Sequence, residues 1–173
     1  MNKILISRFA KIALPAFLSV SLCSCRAPVP VDVVMVDNEL FFVLETEYKI
    51  GSIWVTEHNA GNGERDMKTM WVLRHDLTTE VKKRKYPKLK QIKYAQKFDE
   101  FTIATGPFKL QRNVEYMVEI EMGSKFASEI FIISNDNQAL MPRPTFERQK
   151  RRVYSVLLDK NGNKILVAKP VPK

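Results

Sequence analysis

From Val31 onward, apolar and polar residues alternate with the period of an extended chain. The clearest stretch is "EYMVEIEM", where Tyr116, Val118, Ile120 and Met122 fall on one side and Met117, Glu119 and Glu121 on the other. A strand turns successive side chains to opposite faces, so this stretch predicts one buried face and one wetted face. Similar runs recur as "VDVVMV", "ELFFVLETEY", "GSIWVTE", "KTMWVLR", "LKQIKYA", "EFTIAT", "SEIFIIS", "VYSVLLD" and "KILVAK". Between them lie "HNAGNGERD", "ATGPF", "SNDNQ" and "DKNGN", made of the residues that turns select. The closing pair, "YSVLLDKNGNKILVAK", reads as a β-hairpin with Asn161 and Gly162 in its tip. Many short strands separated by such turns predict an all-β domain, a sandwich or a barrel.

One segment narrows that choice. In "LQRNVEYMVEI", Leu110, Asn113 and Tyr116 are spaced in a way that resembles the tyrosine corner of immunoglobulin-like and fibronectin-type sandwiches. There a leucine, a turn residue in the left-handed region and a tyrosine precede the penultimate strand. Asn113 stands where glycine is commoner, and asparagine tolerates that backbone region better than most residues. Arg112 departs from the usual proline. The resemblance implies a two-layer antiparallel immunoglobulin-like sandwich with a C-terminal hairpin, in which the Tyr116 hydroxyl bonds back to the preceding turn. The competing reading makes Tyr116 a core aromatic of an unrelated β-fold.

The first 24 residues follow a different pattern. Lys3, Arg8 and Lys11, with no acid, precede the apolar run "IALPAFLSVSL". This is the layout of an export signal, and the run is shorter than the ~20 residues a bilayer span needs. Its end, Leu22, Cys23, Ser24 and Cys25, is similar to the lipobox of bacterial lipoproteins, with Cys23 in a place where Ala or Ser is commoner. That resemblance implies cleavage before Cys25 and acylation of its thiol; modification of Cys23 would instead put bulky Leu22 at the cut. Residues 1–24 are then a signal peptide, 25–30 a short lipidated tether and 31–173 the sandwich. Secretion with Cys25 unmodified is the simpler alternative. A redox or zinc role for Cys23 and Cys25 needs further ligands, and the chain has no other cysteine.

Removing the leader leaves 149 residues, enough for one domain with a real core. The formal charge falls from +9 to +6, which favours anionic partners without bearing on fold. "RAPVPVD" reads as a short extended stalk, because Pro28 and Pro30 stiffen it. A domain on so short a tether is expected to work close to the membrane.

Little in the sequence recommends catalysis. His58 sits in a polar loop and His75 at a strand end beside Asp76, and neither accompanies a nucleophile motif, a phosphate loop or metal spacing. Glu119 and Glu121, like Glu45 and Glu47, are two apart, as on the wet face of a strand. Trp54 and Trp71 lie inside strand runs and read as core or near-core residues. The expectation is a non-enzyme without cofactor or metal.

Two basic clusters stand out. "EVKKRKYPKLKQIKYAQK" holds Lys82, Lys83, Arg84 and Lys85, followed by a strand whose apolar alternation changes phase near Gln91, as at a bulge. Charge there also guards a sheet edge. "PRPTFERQKRR" holds Arg143, Arg148, Lys150, Arg151 and Arg152 in a long connection, with a helical turn expected around "TFERQKR"; this irregular segment is the better candidate for a partner contact, with "KKRK" as a second part of the same binding face. Nucleic acid is not expected as a partner of an exported domain. The expected setting is the outer membrane, lipid-anchored and facing the periplasm. The favoured role there is an adaptor or assembly component binding an envelope protein, and the alternative is binding of an anionic lipid or glycan. The expected architecture is similar to the small lipidated sandwich subunits that anchor type VI secretion complexes, though no sequence motif carries that likeness.

Overall fold

The structure, a computed structural model, describes residues 28–58, 67–142 and 152–169. Eleven strands run through these residues: β1 (Val31–Val36), β2 (Glu39–Lys49), β3 (Ser52–Glu57), β4 (Thr69–Arg74), β5 (Lys88–Lys93), β6 (Thr102–Thr105), β7 (Glu115–Met122), β8 (Lys125–Ile133), β9 (Ala139–Leu140), β10 (Tyr154–Leu158) and β11 (Lys164–Ala168). Each extended run read from the sequence overlaps one of them. β9 has two residues, too few to show a period.

The strands form an antiparallel sandwich. One sheet has the order β6-β4-β3-β7-β8-β9, the other β1-β2-β5. Between them lie Val31, Leu40, Phe42 and Ile92 from the smaller sheet and Ile53, Trp71, Leu73, Tyr116, Ile120 and Phe131 from the larger. Each large apolar side chain taken fully out of water contributes about 1.5–3 kcal/mol, so this layer dominates stability. Phe42 and Phe131 meet edge to face across it, with centroids 5.9 Å apart. In β7 the burial follows the alternation of its sequence, with Tyr116, Val118, Ile120 and Met122 inward and Glu119 and Glu121 outward.

β2 behaves differently. Leu40, Phe42 and Leu44 face the sandwich core, while Phe41 and Val43 face outward and are nonetheless buried. The hairpin β10–β11 covers them, packing Leu166 and Tyr154 against Phe41, Val43, Val34 and Val36. A small third layer therefore sits on the two-layer sandwich. It explains why "LFFVL" is apolar without interruption, as strands buried on both faces are.

Local sequence dictates the connections. Asp37 and Asn38, both with positive φ (48° and 66°), form the two-residue turn between β1 and β2. The phase change near Gln91 has its cause on the neighbouring strand. Gln91 pairs with Val43 and Leu89 with Tyr48, so the extra residues belong to β2. β5 itself is the regular partner, and the bulge exposes Glu45 and Glu47.

Candidate functional site

The registers define two ends of the sandwich. Ser52 pairs with Arg74 and with Glu121, and Glu121 pairs with Phe126. Val29 forms a parallel bridge with Ala127, and its N–H donates to the Phe126 carbonyl at 2.7 Å. The described chain thus begins at the same end as residues 74–88; this is the near end. The β1–β2 turn, the end of β5 and the Asn113 turn lie at the far end.

The far end is fastened by Tyr116. Its side chain is wholly buried, and the Gln111 N–H donates to its hydroxyl at 2.8 Å. Asn113 has φ of 59°, and its N–H donates to the Ile133 carbonyl at 2.8 Å. Its side-chain amide donates to Asn135 Oδ1 at 2.9 Å. Leu110 packs on the core beside them. Burial, only partly offset by the Gln111 bond, pushes the Tyr116 hydroxyl up from its ordinary pKa. These three residues hold the turn together, a structural duty.

Next to this corner a groove of about 970 Å³ opens between the sheets, floored by Met35, Leu40, Tyr94 and Leu110. Lys109 and Arg112 stand exposed on its rim. Lys93 also lines it, with its ammonium 3.0 Å from Glu39 Oε1. Sequence alone gave no sign of this groove, because its walls come from four separate segments.

At the near end, residues 76–87 form a loop pinned at several points. The Thr78 N–H donates to Asp76 Oδ1 at 2.8 Å, and the Thr79 N–H to the Asp76 carbonyl at 3.1 Å. A short 3-10 turn, Val81–Lys83, follows. Arg84 donates from Nε to the Thr79 carbonyl at 3.0 Å. His75 wedges between Tyr86 and Phe101, with centroids at 4.6 and 4.7 Å. Burial, the largest influence, lowers the His75 pKa from its ordinary value, while the Thr78 bond lowers that of Asp76. The imidazole and the carboxylate thus serve different neighbours and form no acid–base pair. Of the basic residues here, Lys82, Lys83 and Lys85 are exposed, whereas Arg84 is half-buried by its bond to the loop. Lys83 also lies 3.2 Å from Glu80. Leu77 and Val81 each remain 66% exposed among these charges.

The two tryptophans part company. Trp71 is fully buried, but Trp54 lies on the outer face of the larger sheet with 37% of its surface exposed. Its indole donates to Ser52 Oγ at 3.2 Å, and that hydroxyl donates to Glu121 Oε2 at 2.9 Å. A strand position with a polar period, beside Ser52 and Thr56, was the available hint.

The second basic cluster is mostly beyond view. Cys25, Arg143, Arg148, Lys150 and Arg151, with the expected turn around "TFERQKR", lie outside the described residues. Arg152 is described, and it faces inward to acids of the smaller sheet: Nε is 3.9 Å from Asp32 Oδ2 and Nη2 is 3.7 Å from Glu45 Oε1. It helps dock the hairpin. The Tyr154 hydroxyl donates to the same Asp32 carboxylate. Gln91 holds the other strand, accepting from the Leu166 N–H at 2.8 Å and donating to the Lys164 carbonyl. At the far end Lys164 sits 2.8 Å from Glu39 and 3.1 Å from Asp37. The bonds from Lys164 and Lys93 hold Glu39 below its ordinary pKa.

The hairpin's other face is open. Val153, Leu157, Ile165 and Val167 share it and are 59%, 56%, 41% and 43% exposed. Among the described residues β10 pairs only with β11, leaving its outer edge unoccupied. The consecutive apolar residues of "VLL" and "ILV" were the sequence signal for a hairpin apolar on both faces.

No family model matches the chain, and no curated protein or solved structure matches it either. Among the described residues no group of His, Cys, Asp and Glu is placed to hold a metal ion, and no helix is long and apolar enough to cross a membrane.

Proposed function

We propose that the chain is a lipoprotein anchored through Cys25 to the outer membrane, facing the periplasm, and acting as a non-enzymatic adaptor in an envelope protein complex. The observation that carries this reading is the open face of the hairpin. Four large apolar residues on one small sheet face, beside a strand edge that is unpaired among the described residues, make a surface that favours protein contact. An extended segment of a partner can add to the β10 edge through main-chain bonds while its side chains meet Leu157 and Val153. The acids and bases on the opposite face fix the hairpin to the sandwich, so the surface is presented on a firm base.

The test is recovery of the full-length protein from membranes in mild detergent, beside a Leu157→Glu/Ile165→Lys variant. Leu157 and Ile165 are directly opposed across the hairpin, so the variant keeps a cross-strand pair while removing the apolar face. The parent is expected to bring one stoichiometric protein partner that the folded variant loses. A parent without a protein partner, or a variant that retains it, contradicts the adaptor reading.

A second reading, binding of an anionic lipid or glycan, draws support from the far-end groove with Lys109 and Arg112 on its rim. Its sign in the same experiment is a co-purifying glycolipid or glycan that a Lys109→Ala/Arg112→Ala variant releases.

A further inference from the structure

The near end combines three features that sequence order keeps apart. Residues 76–88 carry two acids against five bases, a net charge of +3. Leu77 and Val81 project from the same loop with two thirds of their surface in water, 66% in each case. The described chain begins at the same end of the sandwich, through the bond from Val29 to Phe126, and Phe126 is itself 42% exposed.

Isolated exposed apolar residues are ordinary. Here the loop is held in shape by the Asp76 turn, the Arg84–Thr79 bond and the packing of His75 on Tyr86, and it still leaves both apolar tips uncovered. Water gains nothing from that arrangement, whereas a bilayer surface satisfies both parts of it. Apolar tips sink to the boundary between headgroups and acyl chains, and the surrounding lysines meet anionic headgroups.

We infer that the near-end loop is a membrane contact: Leu77 and Val81 insert at the interfacial level of an anionic bilayer, flanked by Lys82, Lys83, Lys85 and Lys88. The inference rests on the lipid-anchor reading, which brings this end to the membrane and makes each weak contact effectively intramolecular. The sandwich then stands end-on, with the groove and the hairpin tip directed away from the surface. The short tether and the loop act as two attachment points, so the domain has a fixed orientation.

The test uses the full-length chain, processed in cells and reconstituted in phosphatidylethanolamine–phosphatidylglycerol vesicles. An environment-sensitive thiol probe is placed through Val81→Cys and, for comparison, through Asn161→Cys at the far hairpin tip. An acylated Cys25 offers no free thiol, so labelling of the unsubstituted parent reports failure of the anchor reading separately. At position 81 the expected result is a blue shift and quenching by lipids labelled near the headgroup. Neither change is expected at 161. Replacing Lys82, Lys83 and Lys85 by Gln is expected to abolish the position-81 shift. A probe at 81 that stays as wet as the one at 161, or a shift that survives the lysine replacements, overturns the inference.

Discussion

Two groups of basic residues, alike in composition, are used in opposite ways. Arg152 and Lys164 reach from the hairpin to carboxylates of the β1–β2–β5 sheet and its turn, and with Gln91 they dock the hairpin, while Lys93 holds Glu39 from within that sheet. Lys82 and Lys85, on the near-end loop, face solvent, and Lys83 meets only Glu80 on its own turn. The difference comes from placement. The first group lies where two layers meet, so acids are within reach and partly shielded from water. The second lies on a loop beyond the last paired residue of β4, where water screens every charge. Charge counted along a sequence therefore says little about use until the opposing surface is known.

Undocking the hairpin is expected to have the largest effect. Leu166 is 3% exposed and fills the space between Phe41 and Val43. Leu166→Ala is expected to cost about 2–5 kcal/mol by denaturant unfolding. Hydrogen exchange should quicken in β10 and β11 first, while β3 and β7 stay protected. Uniform loss of protection would mean the hairpin is no separate layer.

A smaller effect is expected at the acid that gathers Tyr154 and Arg152. Asp32 is 6% exposed, and Asp32→Ala removes the acceptor of the Tyr154 hydroxyl and one of the two carboxylates beside the Arg152 guanidinium. A loss of about 1–3 kcal/mol follows from stranding buried polar groups. A variant as stable as the parent would place Arg152 with the solvated charges.

The near-end loop has its own lever. Burial among Tyr86 and Phe101 favours the neutral His75 ring, so the folded pKa lies below the ordinary 6.5. The unfolded chain then binds the proton more readily. The contribution of His75 is complete above pH 6.5 and is lost as pH falls from there through the folded pKa. Unfolding midpoints measured across that range should decline more steeply in the parent than in His75→Phe. Equal slopes would show that His75 does not couple the loop to pH.

The smallest stability effect belongs to the exposed lysines of the near-end loop. Replacing Lys82, Lys83 and Lys85 by Gln should leave the unfolding midpoint unchanged, since exposed pairs contribute little. Vesicle contact by the loop, read as the position-81 probe shift, should be lost. A clear drop in stability would move these lysines into the same class as Arg152.

How much of this was legible in the sequence varied with the physics involved. β7 was clear because one face is buried and the other wet, and Tyr116 with Asn113 carried its own turn chemistry. The layering over β2 was half visible: "LFFVL" shows burial on both faces, but nothing local says that the cover is β10–β11, more than a hundred residues later. Gln91 marked the right place for the bulge while the inserted residues sit across the ladder in β2, since one chain's alternation cannot tell which partner is longer. The groove and the exposed apolar tips at Leu77 and Val81 are products of tertiary placement and left no periodic trace. Trp54 was misleading because strand membership fixes only which side a residue faces, and that side is open.

The proposed adaptor and its end-on orientation both require the chain to be held at a membrane through Cys25. Intact-mass measurement of the protein extracted from membranes tests this most directly. The predicted species begins at Cys25 and carries the added mass of a diacylglycerol on its thiol. A species that retains residues 1–24, or a mature chain with an unmodified Cys25, would contradict it.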